Sequence, residues 1–154
     1  MSSHRRSVVH PAMLVVIVAA ALLLSGCRSQ PLLTPPLIPS SMEAEQNRQA
    51  ILRGMAAHHW LLVGEVPGRL TAKLDRAGKH IAIVDIRYDD RSIAIAYKSS
   101  TGLRCEPEGA GCSSIHRAYN RWVAQLAKDI EYGVQMVRIE SPNGPSVAAP
   151  PPAE

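Results

Sequence analysis

The stretch His80-Ile81-Ala82-Ile83-Val84-Asp85-Ile86-Arg87-Tyr88, followed by Asp89-Asp90-Arg91 and then by Ser92-Ile93-Ala94-Ile95-Ala96-Tyr97-Lys98, decides the fold. Both flanks are rich in β-branched and small apolar residues, which suit a pleated, half-buried surface. The acidic pair between them supplies turn chemistry, so the block reads as two antiparallel strands. Upstream, Leu70, Ala72 and Leu74 alternate with Thr71, Lys73 and Asp75 in a further strand, and Gly78 marks the turn after it. Trp60 to Val66 is another strand, closed by Pro67-Gly68. Four strands joined by such short connections form an antiparallel meander.

The period then changes. From Ser114 onward Ile115, Tyr119, Trp122, Leu126, Ile130, Val134 and Val137 fall on one helical stripe, with Ser113 or Ser114 as the cap. That stripe needs the sheet as cover, and fully burying each large side chain stabilises by roughly 1.5 to 3 kcal/mol. On the other side of the meander, Ser40 followed by Glu43 fits a capping box, opening a helix from Met42 to about His58 with Ile51, Leu52 and Met55 inward. Gly54 weakens that helix slightly. The fold class is therefore α+β: about four antiparallel strands, with an N-terminal and a C-terminal helix on one face. In the third strand Ala82, Val84, Ile86 and Tyr88 form one apolar side, while Ile81 and Ile83 make the opposite side apolar too. That second side calls for cover by the chain's tails, a second copy or a partner, and is the sequence's one hint of a binding surface.

Outward from this domain of residues 42–140 the chain changes character. His4, Arg5 and Arg6 precede an apolar run from Ala12 to Leu24, and Leu24-Ser25-Gly26-Cys27 follows at once. This is the layout of a cleavable secretory leader, since an apolar run of about 13 residues is shorter than the roughly 20 a spanning helix needs. The four residues ending at Cys27 resemble the bacterial lipobox at every position. The resemblance implies removal of residues 1–26, diacylglycerol on the Cys27 thiol and acylation of the new amine. Two acyl chains already anchor stably. In such lipoproteins an aspartate directly after the cysteine favours the inner membrane, whereas Arg28 stands here, so the expected address is the periplasmic leaflet of the outer membrane. Arg5-Arg6 lacks the fuller twin-arginine motif, so general export is expected. Residues 27–41 carry Pro31, Pro35, Pro36 and Pro39 and read as an extended tether reaching up to about 40 Å. Residues 141–154 read as a disordered Pro/Ala tail.

The net charge of +4 falls to about +2 when Arg5 and Arg6 leave with the leader, too mild to argue for nucleic acid. Cys105 and Cys112 enclose a short, glycine-containing loop, and export places them where disulfides form. A ring of about eight residues contributes roughly 2.5 kcal/mol in the chain-entropy account. As zinc ligands with His116 the two cysteines have no standard spacing and lack a fourth partner, so no metal or other cofactor is expected. His116, Arg117, Asn120 and Arg121 sit within about one turn at the start of the last helix and are the candidate site for an anionic ligand. His58-His59 point apart as a helix exit. Asp89-Asp90 serve the turn, and with Asp85 they have no nucleophile or base to work with. Ser99-Ser100 has no accompanying catalytic motif and no phosphate-cradling loop occurs, so a non-enzymatic role is expected.

Four blocks carry a wider resemblance: Gly68-Arg69-Leu70-Thr71-Ala72, Val84-Asp85-Ile86-Arg87-Tyr88, Ile93-Ala94-Ile95-Ala96-Tyr97-Lys98-Ser99-Ser100 and Ile115-His116-Arg117-Ala118-Tyr119-Asn120-Arg121-Trp122-Val123. Together they resemble a family of small proteobacterial lipoproteins without assigned activity, over most of the stretch from Trp60 to Ile130. The resemblance implies envelope attachment and transfers no catalytic residue. Gly102 to Cys112 departs from the family's pattern as an inserted, cysteine-bounded loop.

Overall fold

Alternation along residues 61–101 does build the expected strands, and the segments on either side of them add four more. The computed structural model describes residues 29–109 and 111–141. In chain order the elements are β1 (Ser29–Pro31), β2 (Ile38–Pro39), α1 (Ala44–Ala57), β3 (Leu61–Val66), β4 (Arg69–Arg76), β5 (His80–Tyr88), β6 (Ser92–Thr101), β7 (Glu106–Glu108), β8 (Gly111–His116) and α2 (Arg117–Glu140). The fold is α+β, with a five-stranded sheet ordered β2-β6-β5-β4-β3 and a three-stranded sheet ordered β1-β8-β7. Every strand pair is antiparallel. Strands β3 to β6 are the meander; β2 extends it at the β6 edge. The leader, Cys27 with Arg28, and the tail from residue 142 lie outside the described residues. No described helix is long and apolar enough to cross a membrane.

Three local expectations need correction. Residues 29–41 do not run free as a tether: Ser29 pairs with His116, Pro31 with Ser114, and Ile38 with Ile93. Proline is compatible with this because β1 and β2 are both sheet edges, where a missing N–H leaves no ladder bond unmade. Secondly, the last helix starts at Arg117, because Ser114 and Ile115 are already paired with Pro31 and Gln30. His116 then caps the helix, its Nδ1 accepting from the Ala118 N–H at 3.2 Å. The third concerns the first helix, whose capping box is Glu43 with Gln46, Gln46 Oε1 accepting from the Glu43 N–H at 3.1 Å. Ser40 instead donates to Asn47 Oδ1 at 2.7 Å. Asn47, wholly buried, donates in turn to the Asp89 carbonyl at 2.6 Å and so ties α1 to the β5–β6 turn.

The core lies between the five-stranded sheet and the helices. Leu70, Ala72, Leu74, Ala82, Val84, Ile86, Ile93 and Ile95 form the inner sheet face. Ile51 and Met55 of α1 and Tyr119, Val123, Leu126, Ile130 and Val134 of α2 complete the buried cluster with it. The two helices meet through glycines. A Cβ on Gly133 would stand 2.5 Å from the Ala50 carbonyl oxygen, and one on Gly54 would stand 2.7 Å from Ile130 N. The Gly54 that weakens α1 in isolation is therefore the notch that admits α2.

Tyr119 is the anomaly in this core. It is fully buried, packs edge-on to Tyr97 with ring centroids 5.6 Å apart, and its hydroxyl has no hydrogen-bond partner among the described residues. Burial, with Tyr97 adding to it, pushes the phenol far above its usual range. An unsatisfied buried hydroxyl costs about 1 to 3 kcal/mol, so removing it recovers part of that. Tyr119→Phe should raise stability by about 1 kcal/mol in thermal unfolding; a loss of stability would mean that the hydroxyl is bonded.

Candidate functional site

The residues at the end of β4, the exit of α1 and the first turns of α2 enclose a cleft of about 300 Å³ lined by His58, Trp60, Leu74, Arg76, Arg121, Trp122 and Gln125. Each side chain arrives there for a local reason. Leu74 and Arg76 are two apart on a strand and share one side of it. Leu74 and Trp60 are almost fully buried and form the floor, whereas Trp122 is half-buried at the border of the α2 stripe. His58 is the C-terminal cap of α1. Its Nδ1 lies 2.7 Å from Asp129 Oδ2, an ion pair when the imidazole is protonated. That oxygen has no other partner among the described residues. Gln125 donates to the other carboxylate oxygen at 2.9 Å.

Arg76 and Arg121 are the exposed cations of the cleft, and neither forms an ion pair among the described residues. Two unpaired guanidiniums beside two indoles can take a negatively charged group joined to a flat or apolar moiety, which guanidinium fork geometry and ring stacking both favour.

The four residues singled out in the sequence make different contacts. Asn120 holds the segment after β1: it donates to the Pro31 carbonyl at 2.8 Å and accepts from the Leu33 N–H at 3.0 Å. His116 caps α2 and stacks on His80, with ring centroids 6.3 Å apart and planes within 9°. Arg117 faces solvent, and Arg121 lines the cleft. Arg76, Trp60 and Trp122 are the residues sequence reasoning missed, because no spacing rule links the end of a strand to a helix 45 positions later.

Cys105 and Cys112 form the expected disulfide, with Cα atoms 5.5 Å apart. They are therefore not available as a thiolate pair for zinc. The stretch they close is a hairpin rather than an irregular loop, β7 pairing with β8 through Pro107 and Cys112. Asp89 acts in the turn as its sequence suggested, accepting from the Arg91 and Ser92 N–H groups at 2.8 Å each, which hold its carboxyl below the usual range. Asp85 lies on the outer sheet face. Partial burial pushes its carboxyl up, but Thr71 at 2.6 Å and Lys98 at 3.0 Å outweigh that and hold it low. This polar network interrupts the outer face around Ile81 and Ile83, both of them half-buried. The exposed apolar residues instead gather on β3, where Leu61, Leu62, Val63 and Val66 are 58, 40, 51 and 45 % exposed. Searches of protein-family models, curated proteins and solved structures find no match to this chain.

Proposed function

We propose that the protein is a lipid-anchored, non-enzymatic lipoprotein of the bacterial envelope, attached through Cys27 to the periplasmic leaflet of the outer membrane and presenting its α+β domain to another envelope component or to a second copy of itself. Strand β3 carries this reading. It is an edge of the five-stranded sheet, one side of its backbone is unpaired among the described residues, and four of its six residues are exposed apolar side chains. Sheet edges of this kind are templates for strand addition, which folded monomers normally blunt. The lipobox supplies the envelope address and the disulfide fits an oxidising compartment. Intact mass and membrane fractionation of the protein from its host, with Cys27→Ala as control, test the anchor; a lipid-modified mature form that the control lacks is expected. For the contact surface, Val63→Lys should abolish concentration-dependent association in sedimentation. An unmodified mass refutes the anchor, and sedimentation unchanged by Val63→Lys refutes β3 as the surface.

The cleft favours a second reading, a binding module for a small or polymeric anionic ligand, with Arg76 and Arg121 as the recognising cations. Tripolyphosphate should change the fluorescence of Trp122, and Arg76→Ala with Arg121→Ala should remove that response; a response kept in the double variant rules this reading out.

A further inference from the structure

Several exposed cations stand near the point where the chain enters the domain. Ser29, the first residue of β1, stands two residues after Cys27, a span of about 7 Å at full extension. Its register with His116 and the Asn120 clamp on Pro31 and Leu33 leave little slack before the fold. Around this entry His80 stacks on His116, and Arg76 pairs across the β4–β5 turn with His80. The His80 ring also contacts the Gly102 carbonyl at 2.9 Å, and the His116 N–H donates to the Leu103 carbonyl at 2.8 Å. Gly102 abuts the Lys79 carbonyl so closely that no Cβ would fit between them.

These contacts draw five exposed cations to one end of the molecule: Arg76, Lys79, Arg104, Arg117 and Arg121. None forms an ion pair among the described residues, and neither do Arg69 and Arg87 at the other end of β4 and β5 or Lys128 and Arg138 further along α2, so five of the nine cations without an ion pair stand at this end. Of the nearby carboxylates, Asp75 is engaged by the Gly78 N–H and Lys73, and Glu106 on β7 is exposed.

We propose that this end is a membrane seat: with lipid on Cys27, the domain rests on the bilayer through Arg76, Lys79, Arg104, Arg117 and Arg121, which bind anionic phospholipid headgroups. The inference rests on the reading of Cys27 as the anchor, since the anchor is what brings this end to the surface. Each basic residue near an anionic leaflet strengthens association about fivefold, and the attraction fades within a Debye length, about 10 Å at 0.1 M salt. The seat also leaves β3 free along most of its length, because only its first residues approach the β4 end at which Arg76 lies.

The mature chain carrying Cys27→Ser keeps every described residue and lacks the anchor, so its association with vesicles tests the seat, while the mass of the native protein tests the anchor. At low salt it should co-sediment with phosphatidylcholine vesicles containing phosphatidylglycerol and not with phosphatidylcholine alone. Arg117→Gln with Arg121→Gln should weaken that association about 25-fold. Arg69→Gln with Arg87→Gln, which removes equal charge at the other end of β4 and β5, should leave it unchanged. Equal binding to neutral vesicles, no binding to anionic ones, or equal loss from both double variants overturns the seat. Displacement by millimolar inorganic phosphate at constant ionic strength also overturns it, since the cations would then serve a soluble anion.

Discussion

Gly133→Val should destabilise the protein by about 4 kcal/mol, a large part of the 5 to 15 kcal/mol that holds a domain of this size folded. Two effects of opposite sign compete at this position. Within an isolated helix, glycine costs about 1 kcal/mol relative to alanine, so propensity alone favours replacing it. Against that, the first added carbon meets Ala50 O at 2.5 Å, Ala50 C at 3.2 Å and Ala50 Cα at 3.3 Å, all backbone atoms that cannot turn aside. At Gly54 the obstacles are Ile130 N at 2.7 Å and Ile130 Cα at 2.8 Å, backbone again. Relief requires α1 and α2 to separate, which loosens Ile51, Met55, Ile130 and Val134, all at most 1 % exposed. Overpacking typically costs 1 to 3 kcal/mol, and the uncovered apolar area carries the sum beyond that. Gly78→Ala is the control: nothing stands within 4 Å of its Cβ, and only its φ of +69° resists, for about 1 kcal/mol. Urea unfolding followed by circular dichroism reads both variants. A Gly133→Val midpoint no lower than that of Gly78→Ala would refute the close helix approach.

The parts of the fold legible in the sequence are those where one residue pattern serves one partner. Strands β3 to β6 have short turns and period-two alternation, and the α2 stripe from Tyr119 to Val137 meets one continuous core built by the sheet and α1, so local pattern and tertiary contact agree. The pattern misleads where a segment's conformation is set by a distant partner. Pro31 and Pro39 read as polyproline because nothing nearby says that β8 and β6 present open edges for them. Ser113 and Ser114 read as caps because nothing nearby pairs them, whereas the Leu32 N–H donates to the Ser113 carbonyl and Pro31 of β1 stands opposite Ser114. For the same reason the candidate site was half legible. Arg121 was visible beside the helix start, but Arg76 joins it only through the packing of β4 on α2, and Asn120 was diverted to a structural task by a segment thought to be unattached.

Ile38→Asp separates a docked entry segment from a free tether. Ile38 is 2 % exposed, pairs with Ile93, and is followed by the Ser40 N–H donating to the Arg91 carbonyl at 2.8 Å. A carboxylate there loses its water without gaining a partner and removes an aliphatic side chain from the core, for a loss of about 4 kcal/mol near neutral pH. In a solvated polyproline tether the same substitution would change stability by no more than about 0.5 kcal/mol. Leu37→Asp, one residue away at 65 % exposure, should stay within that limit and serves as the internal control. The pH dependence adds a second signature. Burial raises the pKa of the new carboxyl in the folded state, so the protonated form is the one the fold accepts. The electrostatic part of the loss is absent below the unfolded value of about 4 and grows as pH rises toward the folded one. Equilibrium unfolding of Ile38→Asp at pH 3.5 and pH 7 should therefore show the smaller loss in acid. Equal, small losses at both would return residues 29–41 to the status of a tether, and a lipid on Cys27 would then hold the domain at a distance from the membrane rather than on it.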